Sequence, residues 1–169
     1  MEIRELTEAD ATLYWPLRLR ALREEPESFG ASYDEAKDRP LESVTERFRE
    51  MARLGEFTLG AFDGGQLVGI AAFNRKVGRK NRHIGIAYQV YVAQEARGNG
   101  AGRALMSALL ARARALDGLE QLTLDVVASN AAARALYISL GFEVYGRQRH
   151  ALKLDDGRYL DEELMVLWL

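Results

Sequence analysis

The stretch Arg97 to Arg103, in which Gly98, Gly100 and Gly102 alternate with other residues, is equipped to hold an anion. Glycines let the main chain approach a ligand more closely than any side chain would allow. The stretch sits between a β-type run, Ile84 to Val92, and a strongly helical run, Ala104 to Leu116. A helix beginning there directs unpaired N–H groups and the positive end of its dipole at the loop. The ligand this favours is a phosphate or pyrophosphate. Two templates fail on spacing. A P-loop needs Lys-Ser/Thr after its glycines, where Arg103-Ala104 stand, and a dinucleotide fingerprint counted from Gly100 needs glycine at Leu105. What remains is Arg97-x-x-Gly100-x-Gly102, a pyrophosphate cradle with an arginine at its entrance. Taken alone, the pattern fits equally well a glycine-rich turn that only opens a helix.

Other chemistry is narrowed by composition. The chain has no cysteine, which removes disulfides, thiolate metal sites and cysteine nucleophiles and fits a reducing cytoplasm. His83 and His150 are far apart with no ligand-type spacing, so no metal is expected. A net charge of −2 gives no reason to expect nucleic acid or an anionic membrane as partner. The basic residues Arg75, Lys76, Arg79, Lys80 and Arg82 read as a solvated loop rather than a second phosphate site. Met1 to Glu5 hold no apolar signal core, and no apolar run approaches a membrane span. At 169 residues, with 48% hydrophobic and 28% charged residues, the chain suits one domain, residues 1–169, with a core that needs no staples.

The elements that position these residues follow from periodicity. Ile3 to Leu6 reads as a strand. Thr7 and Asp10 form a capping-box-like start to a helix running to about Glu24, with Leu13, Leu17, Leu19, Ala21 and Leu22 as its apolar face and a kink expected at Pro16. Ser28 to Asp34 reads as a loop, and a second helix carries Val44, Phe48 and Met51. Phe57–Phe62 and Gln66–Asn74 flank Asp63-Gly64-Gly65 as a hairpin. After Ile84 to Val92 comes the long helix, then a strand from Leu122 to Val127 holding Asp125. A helix from Ala131 to Leu140, capped by Asn130 and ended by Gly141, follows. Two strands, Val144–Leu154 and Leu164–Leu169, close the chain around Asp155-Asp156-Gly157. The order β-α-α-β-β-β-α-β-α-β-β describes a mixed α/β (α+β) sheet, mostly antiparallel and hairpin-connected, with one crossover at the glycine loop. In the late helix Tyr137 lies one turn after Ala133, and on its own reads as core packing.

Two segments together resemble the GNAT superfamily of N-acetyltransferases: Val90-Tyr91-Val92 with Arg97 to Gly102, and Asn130 to Ala133 with Leu136-Tyr137 and Leu140-Gly141-Phe142. They occur in the family's order, separated by one helix and one strand, and the resemblance spans roughly Ile3 to Leu169. It implies a central sheet splayed at the cofactor site and transfer of an acetyl group from acetyl-CoA to a primary amine by direct attack through a tetrahedral intermediate. It places the pyrophosphate on Arg97, Gly98, Asn99, Gly100, Ala101, Gly102 and Arg103. It lays the pantetheine arm along Val90, Tyr91 and Val92, with Asn130 and Ala133 also against the cofactor. Tyr137 matches the family tyrosine that protonates the departing thiolate.

The acceptor side is less constrained. Many relatives carry a carboxylate base on the strand before the cradle, and Ile84 to Val92 has none. Glu35 or a water relay is then the candidate base. Phe29 and Tyr33 resemble acceptor-side residues of relatives acting on small amines and amino acids, and Asp125 faces either that cleft or solvent. The expected acceptor is a small molecule, such as an amino acid or an amine antibiotic. A protein N-terminus and a non-catalytic acyl-CoA sensor are the alternatives. The apolar run Leu164 to Leu169 pairs within the sheet or supports a homodimer.

Overall fold

The computed structural model describes residues 1–169. Its strands are β1 (Glu2–Leu6), β2 (Phe57–Asp63), β3 (Gln66–Arg75), β4 (Ile84–Val92), β5 (Gln121–Val127), β6 (Glu143–Lys153) and β7 (Tyr159–Trp168). Its helices are α1 (Ala11–Glu24), α2 (Tyr33–Ala36), α3 (Leu41–Leu54), α4 (Ala101–Arg114) and α5 (Ala131–Ser139). The strands form one sheet in the order β1-β2-β3-β4-β5-β7-β6, in which only β4 and β5 are parallel. This is the mixed, mostly antiparallel sheet that the element order predicts.

Strand alternation sends side chains to two helical layers. Ala71 and Phe73 pack with Leu105, Met106 and Leu109 of α4 in the larger core. Ile70, with Leu67 and Tyr91, instead packs with Tyr14, Leu17 and Ala21 of α1 and Val44 and Phe48 of α3. Ile70, Ala71, Ala72 and Phe73 are all fully buried, so β3 is the spine of the molecule. The β2–β3 hairpin closes as expected through Gly64 and Gly65, whose φ values of 55° and 84° suit a two-residue turn matched to strand twist.

Some elements depart from expectation. The first helix opens with a 3-10 turn, Glu8–Asp10, and α1 then runs unbroken through Pro16. Pro16 and Thr12 are both exposed, so the carbonyl that proline leaves without a donor can be hydrated. Leu13, expected on the apolar face, is 48% exposed, whereas Tyr14 and Arg18 are buried. β7 begins at Tyr159 rather than Leu164, because Glu162 and Glu163 join the ladder despite their charge. It lies between β5 and β6, so its apolar end pairs within the sheet and β6 is the edge strand on that side. The 75–82 segment, apart from Arg75 at the end of β3, is an exposed connection, as the charge run predicts. No helix is long and apolar enough to cross a membrane, and no acid or histidine cluster could hold a metal.

The start of α1 is tied down by Asp10, whose carboxylate accepts from both Arg4 Nη atoms (2.7 and 2.9 Å) and from Thr7 N–H (2.8 Å). The Arg4 guanidinium is the main cause holding the Asp10 carboxyl down at about 2. An acid with a depressed folded-state pKa stabilises fully above its unfolded value near 4, and that contribution disappears as pH falls toward 2. Asp10→Asn is expected to cost about 1–2 kcal/mol at pH 7, with Arg4 partly exposed and screened. Urea midpoints at pH 7 and pH 3 check this, since the difference between variant and wild type should shrink at the lower pH.

Candidate active site

The open place in the sheet lies between β4 and β5. They pair only over Ile84–Ile86 and Gln121–Thr123, and then separate. A bulge causes β4 to bend away. Tyr88 faces Ala72 and Tyr91 faces Ile70, so Gln89 and Val90 together oppose the single residue Ala71. Gln89 adopts φ 55°, and its side-chain oxygen accepts from Tyr14 Oη at 2.8 Å, which ties the bulge to α1. Past the bulge, Ala93 N–H donates across to Val68 O at 2.8 Å. Alternation then turns Val92 N–H toward the edge that β5 has vacated.

The glycine loop closes one end of this gap. Gly98 and Gly100 have φ of 80° and 81°, and Gly100 is the residue from which α4 starts. The α4 ladder begins with Ala104 N–H donating to Gly100 O, so the N–H groups just before it point out of the open end. Gly102 differs from Gly98 and Gly100: its φ is not positive, and a Cβ there would stand 3.4 Å from Leu136, an ordinary contact, so neither backbone nor space demands glycine. Arg97 is partly committed to the protein: Nε donates to Val92 O at 2.9 Å and Nη2 pairs with Glu25 at 2.8 Å. Arg103 Nη2 donates to Ser139 Oγ at 2.8 Å, joining the cradle to the end of α5.

Along this gap runs a groove of about 400 Å³, lined by Val90, Tyr91 and Val92 of β4, by the glycine loop and by Asn130, Ala133, Leu136 and Tyr137. Of the residues the sequence assigns to the cofactor, only Asn99, at the loop tip, is not on its wall. Asn130 Oδ1 caps α5 by accepting Ala133 N–H at 3.1 Å. A strand edge without a partner, continuous with unpaired helix-start N–H groups, suits a ligand with an amide-bearing arm ending in a pyrophosphate, and coenzyme A is such a molecule. Gly100→Ala puts a side chain on left-handed backbone at a cost of about 1–2 kcal/mol. It is expected to raise KM for acetyl-CoA several-fold while kcat changes little, as steady-state kinetics at saturating acceptor would show.

A second cavity of about 360 Å³ adjoins the groove and shares Ser28, Phe29, Val90, Asn130, Ala133 and Tyr137 with it. Tyr137 is the one buried residue of α5, with its ring edge-on to Phe142 at 5.9 Å. Burial pushes its phenol up to about 12, so it stays protonated at neutral pH. The second cavity also holds Asp125 of β5, Glu162 of β7 and Arg18 of α1. Desolvation raises the carboxyls of both Asp125 and Glu162, and Asp125 adds to the rise at Glu162. Arg18 is only 5% exposed, and its Cζ lies 4.5 Å from the Phe29 ring centre. Burial lowers its pKa, but a guanidinium remains charged at neutral pH.

The acceptor-side expectations divide. Phe29 and Asp125 reach this cavity, but Tyr33 lines a separate surface hollow and lies under the Arg23 guanidinium. Glu35 lines neither cavity. It is the reciprocal partner in a capping box, where its carboxylate accepts Ser32 N–H while Ser32 Oγ accepts Glu35 N–H, both at 3.2 Å. The Ser32–Glu35 spacing is itself a capping signal. Arg18 and Glu162 were missed by reasoning from sequence. Arg18 had a readable sign, because it falls on the stripe of Ala11, Tyr14, Leu17 and Ala21, where a charged residue is out of place.

Residues 15–142 match the model of the Acetyltransferase (GNAT) family. An L-methionine sulfoximine/L-methionine sulfone acetyltransferase of Pseudomonas aeruginosa is 35% identical over 121 residues, covering 71% of this chain and 69% of its own. A ribosomal-protein-alanine N-acetyltransferase of Brucella melitensis superposes with a TM-score of 0.87 at 30% identity, covering 100% of both chains. A phosphinothricin acetyltransferase of Sinorhizobium meliloti, solved with acetyl-CoA, gives 0.84 at 26% identity, covering 99% of this chain and 88% of its own. This chain is therefore a member of the GNAT acetyltransferase family, an N-acyltransferase that uses acetyl-CoA.

Proposed function

We propose that the protein acetylates the primary amine of a small, amino-acid-like molecule, and that the acceptor occupies the second cavity. The observation that carries this reading is the meeting of two cavities at the buried phenol-bearing residue Tyr137. The cradle side suits the cofactor, which leaves the Asp125 side for the acceptor. The named activity of the Pseudomonas relative, on two analogues of methionine, supports an acceptor of that size.

Bound acetyl-CoA supplies a thioester whose carbonyl the amine attacks, with the CoA sulfur departing as a thiolate. The chain's own groups then have distinct tasks. Backbone N–H groups of Gly98 to Arg103 hold the pyrophosphate, and the open edge of Val90 to Val92 aligns the arm. Val92 N–H, turned to that edge, is placed to donate to the oxygen that gains charge. Asp125 takes the proton that the ammonium must lose, its raised pKa making it a stronger base than an ordinary aspartate. Solvent reaches Asp125, so it can pass that proton on. Tyr137 Oη carries the proton that the leaving sulfur needs.

Free-thiol release from acetyl-CoA, followed over a panel of amines, tests the assignment. Amino acids and their analogues, methionine sulfone among them, are expected to drive release above the background hydrolysis rate. Release with alanine-terminated peptides alone would move the acceptor to protein N-termini. Acetyl-CoA binding without release for any amine would make the chain a sensor.

A further inference from the structure

Arg18 is a buried cation without a counter-ion. None of the ion pairs in the molecule includes it, and its Nη1 is enclosed with no hydrogen-bond partner. A charge taken out of water and left unpaired is among the most costly features a fold can carry. The fold nevertheless holds it in place, one helical turn after Tyr14 and against the Phe29 ring. Arg18 lines the second cavity but not the groove of the glycine loop, so the phosphates of the cofactor are not its partner.

Asp125 and Glu162 line the same cavity without pairing to Arg18. The wall therefore offers a cation and, separately, a pair of acids. That distribution complements a small zwitterion: an anionic group against the guanidinium and an ammonium toward the carboxylates. Arginine's fixed fork of donors matches a carboxylate in two parallel hydrogen bonds.

We propose that Arg18 is the specificity-determining residue for the acceptor, binding a carboxylate that the acceptor carries beside its amine. The proposal rests on the reading that the second cavity holds the acceptor. It makes the enzyme selective for amino acids over the same amines without the carboxyl group. The discrimination follows from leaving a buried donor unpaired, which a site built around hydrogen bonds tolerates poorly.

The test compares amino acids, methionine sulfone among them, with their decarboxylated amines, using wild type, Arg18→Met and Arg18→Lys. For wild type, kcat/KM is expected to favour the amino acid by about 10²-fold or more. Arg18→Met should bring that ratio close to one without changing KM for acetyl-CoA, and Arg18→Lys should keep part of it. Replacing an unpaired buried charge with an apolar side chain of similar length should leave Tm unchanged or raise it by a few degrees, about 2–4 °C. A merely structural arginine would lower Tm on removal. Equal wild-type rates for both members of each pair overturn the proposal, as does an equal loss toward both in Arg18→Met. Should Arg18→Met not fold, Arg18→Lys decides: a partial loss of the wild-type ratio supports the proposal, and an unchanged ratio overturns it. Tm measured with each free acceptor separates this proposal from the broader one. Stabilisation by the amino acid but not by its decarboxylated amine, with no thiol release from either, would keep the carboxylate site and reject the acetylation of small amines.

Discussion

Tyr137→Phe is expected to lower kcat by about 10²-fold or more while leaving KM for acetyl-CoA near its wild-type value. The substitution removes only Oη, which makes no hydrogen bond within the protein, and keeps the ring in its edge-on contact with Phe142. No buried partner is stranded, so Tm should hold, and the loss would lie in the chemical step. A phenol is a weaker acid than a thiol by about 1.5 pKa units in water, roughly 2 kcal/mol uphill. Burial raises the Tyr137 phenol to about 12, but the same enclosure raises any thiolate beside it, so the gap need not widen. The proton therefore moves as the carbon–sulfur bond breaks, and the phenolate is reprotonated between turnovers. The activity of the wild type should show no loss between pH 7 and 9 that is due to Tyr137, since its phenol remains protonated throughout. Rapid-quench measurement of a single turnover, with acetyl-CoA already bound, isolates the step. An unchanged rate in Tyr137→Phe would remove the hydroxyl from the mechanism.

How far the site could be read in advance depended on how local its signals are. The cradle is written in consecutive residues: Gly98 and Gly100 stand where φ is positive, and α4 follows at once. The α5 helix is bounded by Asn130 and Gly141, both local punctuation. The acceptor side is assembled from α1, the segment before α2, β5 and β7, and no spacing in the chain relates these. Arg18 resembles its neighbours Arg20 and Arg23 in sequence, yet they face outward while Arg18 faces the sheet. Glu35 is a candidate base only because β4 carries no carboxylate, whereas its spacing to Ser32 marks it as a cap. The polar start of β7 was unreadable for a similar reason. Asp161 is tied to Arg147, Glu163 to Arg134, and Glu162 lines the cavity, so each charge has a use that only the neighbouring strands and helix reveal.

Asp125→Asn is the second large effect, and its pH dependence distinguishes a base from a contact. At pH 7 an amine acceptor is mostly ammonium, and attack requires the loss of a proton. Without Asp125, kcat/KM for the acceptor is expected to fall by about 10²-fold, with KM for acetyl-CoA unaffected. As pH rises past the pKa of the amine, solvent has already removed that proton, and the deficit should shrink toward a few-fold. In wild type the carboxylate form is required, so activity is lost as pH falls through the Asp125 pKa, which desolvation places above the ordinary aspartate value. Glu162 supplies an internal check. Part of its raised pKa comes from the charge of Asp125, so neutralising Asp125 should lower the Glu162 pKa, which carboxyl NMR titration would follow directly. Should the deficit instead stay constant across the whole pH range, Asp125 would be holding the acceptor rather than receiving its proton. The missing carboxylate of β4 would then be replaced by Glu162 or by water, since Glu35 is occupied at its cap and Glu162 is the one other acid that lines the second cavity.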